Sequence, residues 1–265
     1  IEFPDGSATS LEVFSMQGVV PLFAGISIPV TSVEALKTIH AEIERLKNAY
    51  EIDQAFLPLQ LSGGDGTHVM IAIVGHHRLA RMLERLLDEV QFLSPHGLRS
   101  LSRFHADNPY VYRVNGDAYS VEYAPAESTS RMFGGNSNWR GPVWLPMNFL
   151  FIQSLNAYGR FLGETFDVPD ASVPSGSLSL GEVADRMARR LTSLVVRDDN
   201  GRRAVFGDND YFQNDPHWRD LVPFYEYFDG DDGRGLGASH QTGWTATIAL
   251  LLQFRGRLRF DDLSQ

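Results

Sequence analysis

Residues 143–162, VWLPMNFLFIQSLNAYGRFL, are apolar on nearly every side of a helical projection. A surface helix needs only one apolar stripe, so this segment predicts a helix buried all round. Other helices must then cover it, and five further segments read as helix. Residues 31–34 (TSVE) set Thr31 and Glu34 at capping-box spacing, with Val33, Leu36, Ile39, Ile43 and Leu46 following on one face. Leu79, Met82, Leu83, Leu86, Leu87 and Val90 mark a second amphipathic helix. Leu180, Val183, Ala184, Met187, Leu191 and Leu194 mark a third, whose outer face sets Glu182 against Arg186 and Asp185 against Arg189. Residues 242–254 predict a last, deeply buried helix, and 15–25 a short one broken by Gly18 and Pro21.

Strand signals are few. VYRVNGDAYSVEY (111–123) holds an Asn115-Gly116 step between alternating segments, which predicts one hairpin. Long connections at 50–77, 92–139 and 198–241 are of the length that carries function or packs over a site. No linker, low-complexity tract or repeat interrupts the 265 residues, so the expectation is one domain of all-α class. Two rings of helices and a plain helical bundle both fit this periodicity.

Composition limits the partners. A net charge of −10 disfavours nucleic acid and anionic membranes, since both need clustered Lys and Arg. There is no cysteine, which excludes disulfides and thiolate zinc sites. No apolar run reaches the roughly 18–20 residues of a membrane span, and no signal peptide is visible, so the expected compartment is the cytoplasm. The opening IEFPDGS reads as the middle of a longer protein.

The long loops have an unusual composition. Trp139, Trp144, Trp218 and Trp244 lie in three segments, 134–148, 215–228 and 235–244, where glycines, amides and aromatics interleave. A pyranose presents apolar C–H faces and a rim of hydroxyls, so a sugar site needs flat aromatics beside amides, Arg and carboxylates. Large core anchors are the other reading of these tryptophans. Glu226 stands in Phe224-Tyr225-Glu226-Tyr227-Phe228, a carboxylate whose aromatic neighbours partly desolvate it, as acid–base work requires. A solvent-facing or Arg-paired Glu fits the same spacing. Arg140 is a candidate clamp for sugar hydroxyls or a carboxylate, Glu127 a second carboxylate, and His240 and Gln241 fall where a loop meets the last helix.

Three look-alikes are set aside. Residues 233–238 (GRGLGA) match the dinucleotide fingerprint by letter, but acidic residues precede them in place of an apolar strand. Residues 229–233 (DGDDG) lack the spacing and the closing Glu of a calcium loop and read as a turn. Adjacent His76 and His77 cannot share a helix face as a zinc pair does. No cofactor and no metal are expected.

The strings FLSPHGLRSLSRFH (92–105), YAPAESTSRMFGGNSNWRGPVW (123–144) and DPHWRDLVPFYEYFDGDDGRGLGASHQTGW (215–244) closely resemble glycoside hydrolase family 63. That family comprises mannosyl-oligosaccharide glucosidases and bacterial relatives acting on mannosylglycerate and glucosylglycerate. The likeness runs from about residue 14 to about residue 252. It implies an (α/α)6 barrel, present here as a C-terminal part, and inverting hydrolysis of an α-glucosidic or α-mannosidic bond in an oligosaccharide or a glycosylglycerate. It also implies that Glu226 is the general base, and that Trp139, Arg140, Trp144 and Trp244 line the sugar pocket. The family's general acid, an Asp, lies upstream of the matched strings, and no position in this chain matches its motif. A partial barrel exposes apolar faces of its inner helices, which predicts self-association. The competing expectation is a non-catalytic carbohydrate-binding or scaffold module.

Overall fold

The computed structural model describes residues 6–30, 33–50, 68–127 and 139–253. A 3-10 turn at Met16–Val19 leads into helix α1 (Val20–Phe23), strand β1 (Gly25–Pro29), helix α2 (Val33–Tyr50), strand β2 (His68–Ala72) and helix α3 (His76–Leu86). Then come β3 (Leu93–Ser94), β4 (Gly97–Leu98), α4 (Phe104–Asp107), β5 (Tyr110–Val114) and β6 (Asp117–Val121). The long helix α5 (Leu145–Leu162) is followed by β7 (Asp167–Pro169), β8 (Ser177–Ser179) and α6 (Leu180–Thr192). Helix α7 (Asp210–Asn214), strands β9 (Tyr227–Phe228) and β10 (Gly235–Leu236), and helix α8 (Thr242–Thr245) complete the order.

The all-α expectation, and with it the partial (α/α)6 barrel, is overturned. Among the described residues the strands pair into five two-stranded antiparallel sheets, so the class is mixed α and β. These strands are two to five residues long. Runs that short show too little alternation to register against the stronger helical period. The Asn115-Gly116 hairpin does form: β5 pairs with β6, and both turn residues have positive φ, 53° and 88°.

Contacts gather into two compact units, each built from separate stretches of chain. One comprises Val19–Arg85, Leu145–Thr192 and Ala246–Gln265. Here α5 packs against α6, α1, β1 and β2. Pro146 sits in the first turn of α5, where its missing N–H has no helical partner to lose. The helix buries Phe151, Ile152, Leu155, Tyr158 and Phe161, but Leu150 is 44% exposed, so it is not enclosed all round. Tyr158 donates its hydroxyl to the Val74 carbonyl at 2.7 Å, and burial pushes that phenol up to about 12.

Strand β8 runs straight into α6 through a capping box. Glu182 N donates to Ser179 Oγ at 3.3 Å, and Ser179 N donates to Glu182 Oε2 at 2.8 Å. That bond draws Glu182 away from the expected Arg186, which pairs with Asp170 instead. The Asp185–Arg189 pair forms, at 2.7 Å. Helix α3 ends at Leu86, short of the expected Leu87 and Val90, and Val90 is exposed. The capping position Thr31 lies outside the described residues. The segment 242–254 is divided: α8 stops at Thr245 and helix resumes at 248, with Leu250 and Leu252 exposed. No helix among the described residues is long and apolar enough to cross a membrane.

The other unit comprises Ile1–Gly18, Leu86–Trp144 and Ser193–Thr245. Its centre is a run of extended backbone around Val143, bridged antiparallel to Arg99 on one side and Phe228 on the other. Val143 and Phe228 exchange both backbone hydrogen bonds, at 2.8 and 2.9 Å, and Ser100 N donates to the Pro142 carbonyl at 3.0 Å. The chain from 92 to 101, the WRGPVW stretch and the strand after Glu226 therefore meet at one line.

Candidate active site around Glu226

Glu226 immediately precedes β9, which pairs with β10 in the register Gly235↔Phe228 and Leu236↔Tyr227. The ladder continues one step further: Glu226 N donates to the Ala238 carbonyl at 2.9 Å. Gly237 is the extra residue between these steps, a β-bulge that turns the strand. Its φ is +68°, and a Cβ there would lie 2.6 Å from Tyr227 Cε1 and 2.7 Å from Glu226 Oε2. Only glycine fits both the conformation and the space. The string that imitates a dinucleotide fingerprint thus builds the hairpin arm beside the carboxylate.

The bulge aims Glu226. Ala238 N donates to Oε2 at 3.1 Å, and no described residue hydrogen-bonds Oε1. One oxygen is anchored and the other is available, an arrangement suited to holding a water. Beside it, across Gly237, lies Tyr227, 2% exposed, whose ring stacks on Trp144 at 4.9 Å. Trp144 stacks in turn on Trp139, with centroids 4.2 Å apart and planes within 2°, and meets Trp244 edge-on at 5.5 Å. Three of the four tryptophans therefore join one aromatic cluster beside Glu226, in which Trp144 is buried while Trp139 and Trp244 are partly open. Trp218 stands elsewhere, 42% exposed and packed edge-on against Phe212.

Glu127 is exposed and faces the same phenol. Burial first, then the charges of Glu127 and Glu226 and a hydrogen bond to Glu127, push the Tyr227 hydroxyl up to about 12. Tyr227 was not singled out from sequence; its signal was its place inside the aromatic run around Glu226. Arg140 is 4% exposed, its Nη2 lies 3.5 Å from the Ser120 carbonyl, and its Nε has no hydrogen-bond partner among the described residues. Its backbone carbonyl accepts from Ala124 N at 2.7 Å, tying WRGPVW to the segment that leads to Glu127.

His240 is exposed and its Nδ1 accepts from Phe224 N at 3.3 Å. Gln241 N donates to the Phe224 carbonyl at 2.6 Å, and Thr245 Oγ1 donates to the Tyr225 carbonyl at 2.6 Å. These bonds fasten α8, and with it Trp244, along the strand carrying Glu226. The turn at 229–233 forms as expected, with Asp229 Oδ1 accepting from Asp231 N at 2.8 Å and Asp232 N at 3.2 Å. A separate groove of about 680 Å³, lined by Asn156, Arg160, Glu164, Asp167 and Ser179, contains none of these residues and no aromatic for a sugar face.

Comparison with known proteins adds to this geometry. A family model described as mannosylglycerate hydrolase MGH1-like glycoside hydrolase domain matches residues 69–245. An uncharacterized protein of Saccharomyces cerevisiae is 44% identical over 243 residues, 90% of this chain and 22% of that protein. A probable mannosyl-oligosaccharide glucosidase of Schizosaccharomyces pombe is 27% identical over 176 residues, 66% of this chain and 15% of its own length. A mannosyl-oligosaccharide glucosidase of S. cerevisiae is 25% identical with the same coverage. The chain thus spans between 15% and 22% of these curated relatives.

Proposed function

This chain belongs to the mannosylglycerate hydrolase MGH1-like glycoside hydrolase domain family, and we propose that it supplies the general-base half of an α-glycosidase site. Glu226 is the base. The observation that carries this reading is its carboxylate, with Oε2 held by Ala238 N–H at 3.1 Å and Oε1 accepting no hydrogen bond from any described residue, beside the Trp139–Trp144–Trp244 cluster. The tethered oxygen fixes orientation, and the other takes a proton from water as that water attacks the anomeric carbon.

The reaction is hydrolysis with inversion. A second carboxyl group protonates the leaving oxygen from the opposite side, roughly 6.5–9.5 Å from the first, which leaves room for the water. We assign that acid to sequence upstream of the matched strings. Trp139 and Trp244 offer the partly open aromatic faces for a pyranose, with Glu127 and Gln241 as candidate partners for its hydroxyls. The substrate class is a mannosyl-oligosaccharide or a glycosylglycerate, as the names of the relatives and of the family suggest.

The test is turnover of α-glucosides, α-mannosylglycerate and α-glucosylglycerate, with the first-formed anomer read by NMR. It is run on this chain and on the natural full-length protein, each beside Glu226→Gln. The expected result is an inverted anomer from the full-length protein and a loss on the order of 10²–10⁴ in kcat for the variant. Sugar binding that survives Glu226→Gln, with no turnover by any form, overturns the catalytic reading in favour of a binding module.

A further inference from the structure

We propose that Arg99 is a positioning residue for this site, its guanidinium fixing through Tyr123 and Asp231 the two segments that carry Glu127 and Glu226. Arg99 is 3% exposed. Its Nη1 donates to the Leu93 carbonyl at 2.6 Å, its Nε to Tyr123 OH at 3.0 Å, and its Nη2 to Asp231 Oδ1 at 3.0 Å. Tyr123 OH donates to the same Asp231 oxygen at 2.8 Å, which closes a triangle. Burial, the largest influence, pushes the Tyr123 phenol well above its ordinary range, so it remains a proton donor. Tyr123 lies four residues before Glu127, and Asp231 five residues after Glu226.

The backbone around the triangle has no slack. Gly230 N donates to the Pro125 carbonyl at 2.8 Å. A Cβ on Gly230 would stand 2.4 Å from the Gly141 carbonyl oxygen and 2.9 Å from Tyr123 OH. Arg99 itself bridges to Val143, and Val143 to Phe228. A shift of the guanidinium therefore moves both carboxylate-bearing segments together.

The pair joins a buried guanidinium to a carboxylate that is 41% exposed, and a pair so open to water contributes little to stability. A planar guanidinium with fixed donors is well suited to setting orientation. Orientation matters more to catalysis, where a misplacement of about 1 Å costs on the order of 10²-fold in rate. This inference rests on Glu226 acting as the base.

The experiment compares Tyr123→Phe, Asp231→Asn and Glu226→Gln in the natural full-length protein. The readouts are kcat, KM, the pH profile and the thermal midpoint. Tyr123→Phe keeps the ring and its packing and removes only the bridging hydroxyl. Asp231→Asn keeps an acceptor oxygen in case the first variant folds poorly. The expected result is a fall of roughly tenfold in kcat for both, with KM within about twofold and a displaced pH profile. Arg99→Lys, which keeps the charge and loses the fork, is expected to fall as far. If Glu226→Gln is inactive while Tyr123→Phe and Asp231→Asn lower only the thermal midpoint, the triangle is structural and this inference is overturned. If Glu226→Gln keeps full turnover, the general-base reading fails and takes the inference with it.

Discussion

Ala238 donates its backbone N–H to Glu226 Oε2 at 3.1 Å while accepting the Glu226 N–H at 2.9 Å, so one residue holds both the strand and its carboxylate. The aim of the side chain is thereby set by backbone geometry rather than by another side chain. The consequences are testable.

Gly237 makes that geometry possible. Gly237→Ala forces a non-glycine residue to φ +68° and drives its Cβ against Tyr227 and Glu226 Oε2. The expected cost is about 1–3 kcal/mol of stability. A fall of roughly tenfold or more in kcat should accompany it as the carboxylate is displaced. Thermal unfolding and steady-state kinetics on the same sample check both.

Trp144 and Trp139 share a stack but differ in burial, so their variants should separate stability from sugar binding. Trp144→Ala removes a fully enclosed side chain and is expected to destabilise by about 3–5 kcal/mol. Trp139→Ala, at the open side of the stack, should destabilise less and weaken oligosaccharide binding more. Denaturant unfolding beside calorimetric titration with a probe sugar distinguishes them.

Alkaline pH should loosen both units. Tyr158 and Tyr227 each titrate at about 12 in the fold, above the ordinary phenol value of 10.0. Between those values the unfolded chain loses its phenolic protons before the folded one does. The stabilisation is therefore complete below about pH 10 and is lost as pH rises toward about 12. Tyrosinate absorbance followed with unfolding should show the two events together, and Tyr158→Phe should flatten the decline.

At the other end of the scale, the capping box of α6 should respond to acid. Hydrogen bonds from Ser179 N and then Ser179 Oγ hold the Glu182 carboxyl below its ordinary 4.5. Its contribution is present above that value and is lost as pH falls through the lowered one. Ser179→Ala should cost about 1 kcal/mol at neutral pH, as loss of an N-cap does. It should also blunt the acid dependence, measured by thermal midpoint against pH.

Much of the local structure was legible in the residues. The periodic runs became α2, α3, α5 and α6, and Asn115-Gly116 became a hairpin turn, because helical period and turn chemistry are local properties. Composition singled out all four tryptophans and did not separate Trp218, which packs against Phe212, from the Trp139, Trp144 and Trp244 cluster; the family resemblance named those three. Pairings between distant segments were not legible. β1 meets β2 across the whole of α2, and β9–β10 is two residues deep, so neither carries a periodic signal of its own.

Sequence by itself determined the long helical segments that became α2, α3, α5 and α6, that Glu226 sits among aromatics, and which family the chain resembles. Tertiary structure alone decided that the class is mixed, that the Tyr227 ring stacks on Trp144 next to the Glu226 carboxylate, and that Arg99 reaches Asp231 across 132 positions. The reason is physical. Helical period is a property of neighbouring residues, whereas a hydrogen-bonded triangle or a two-residue strand pair exists only once the chain has brought its members together.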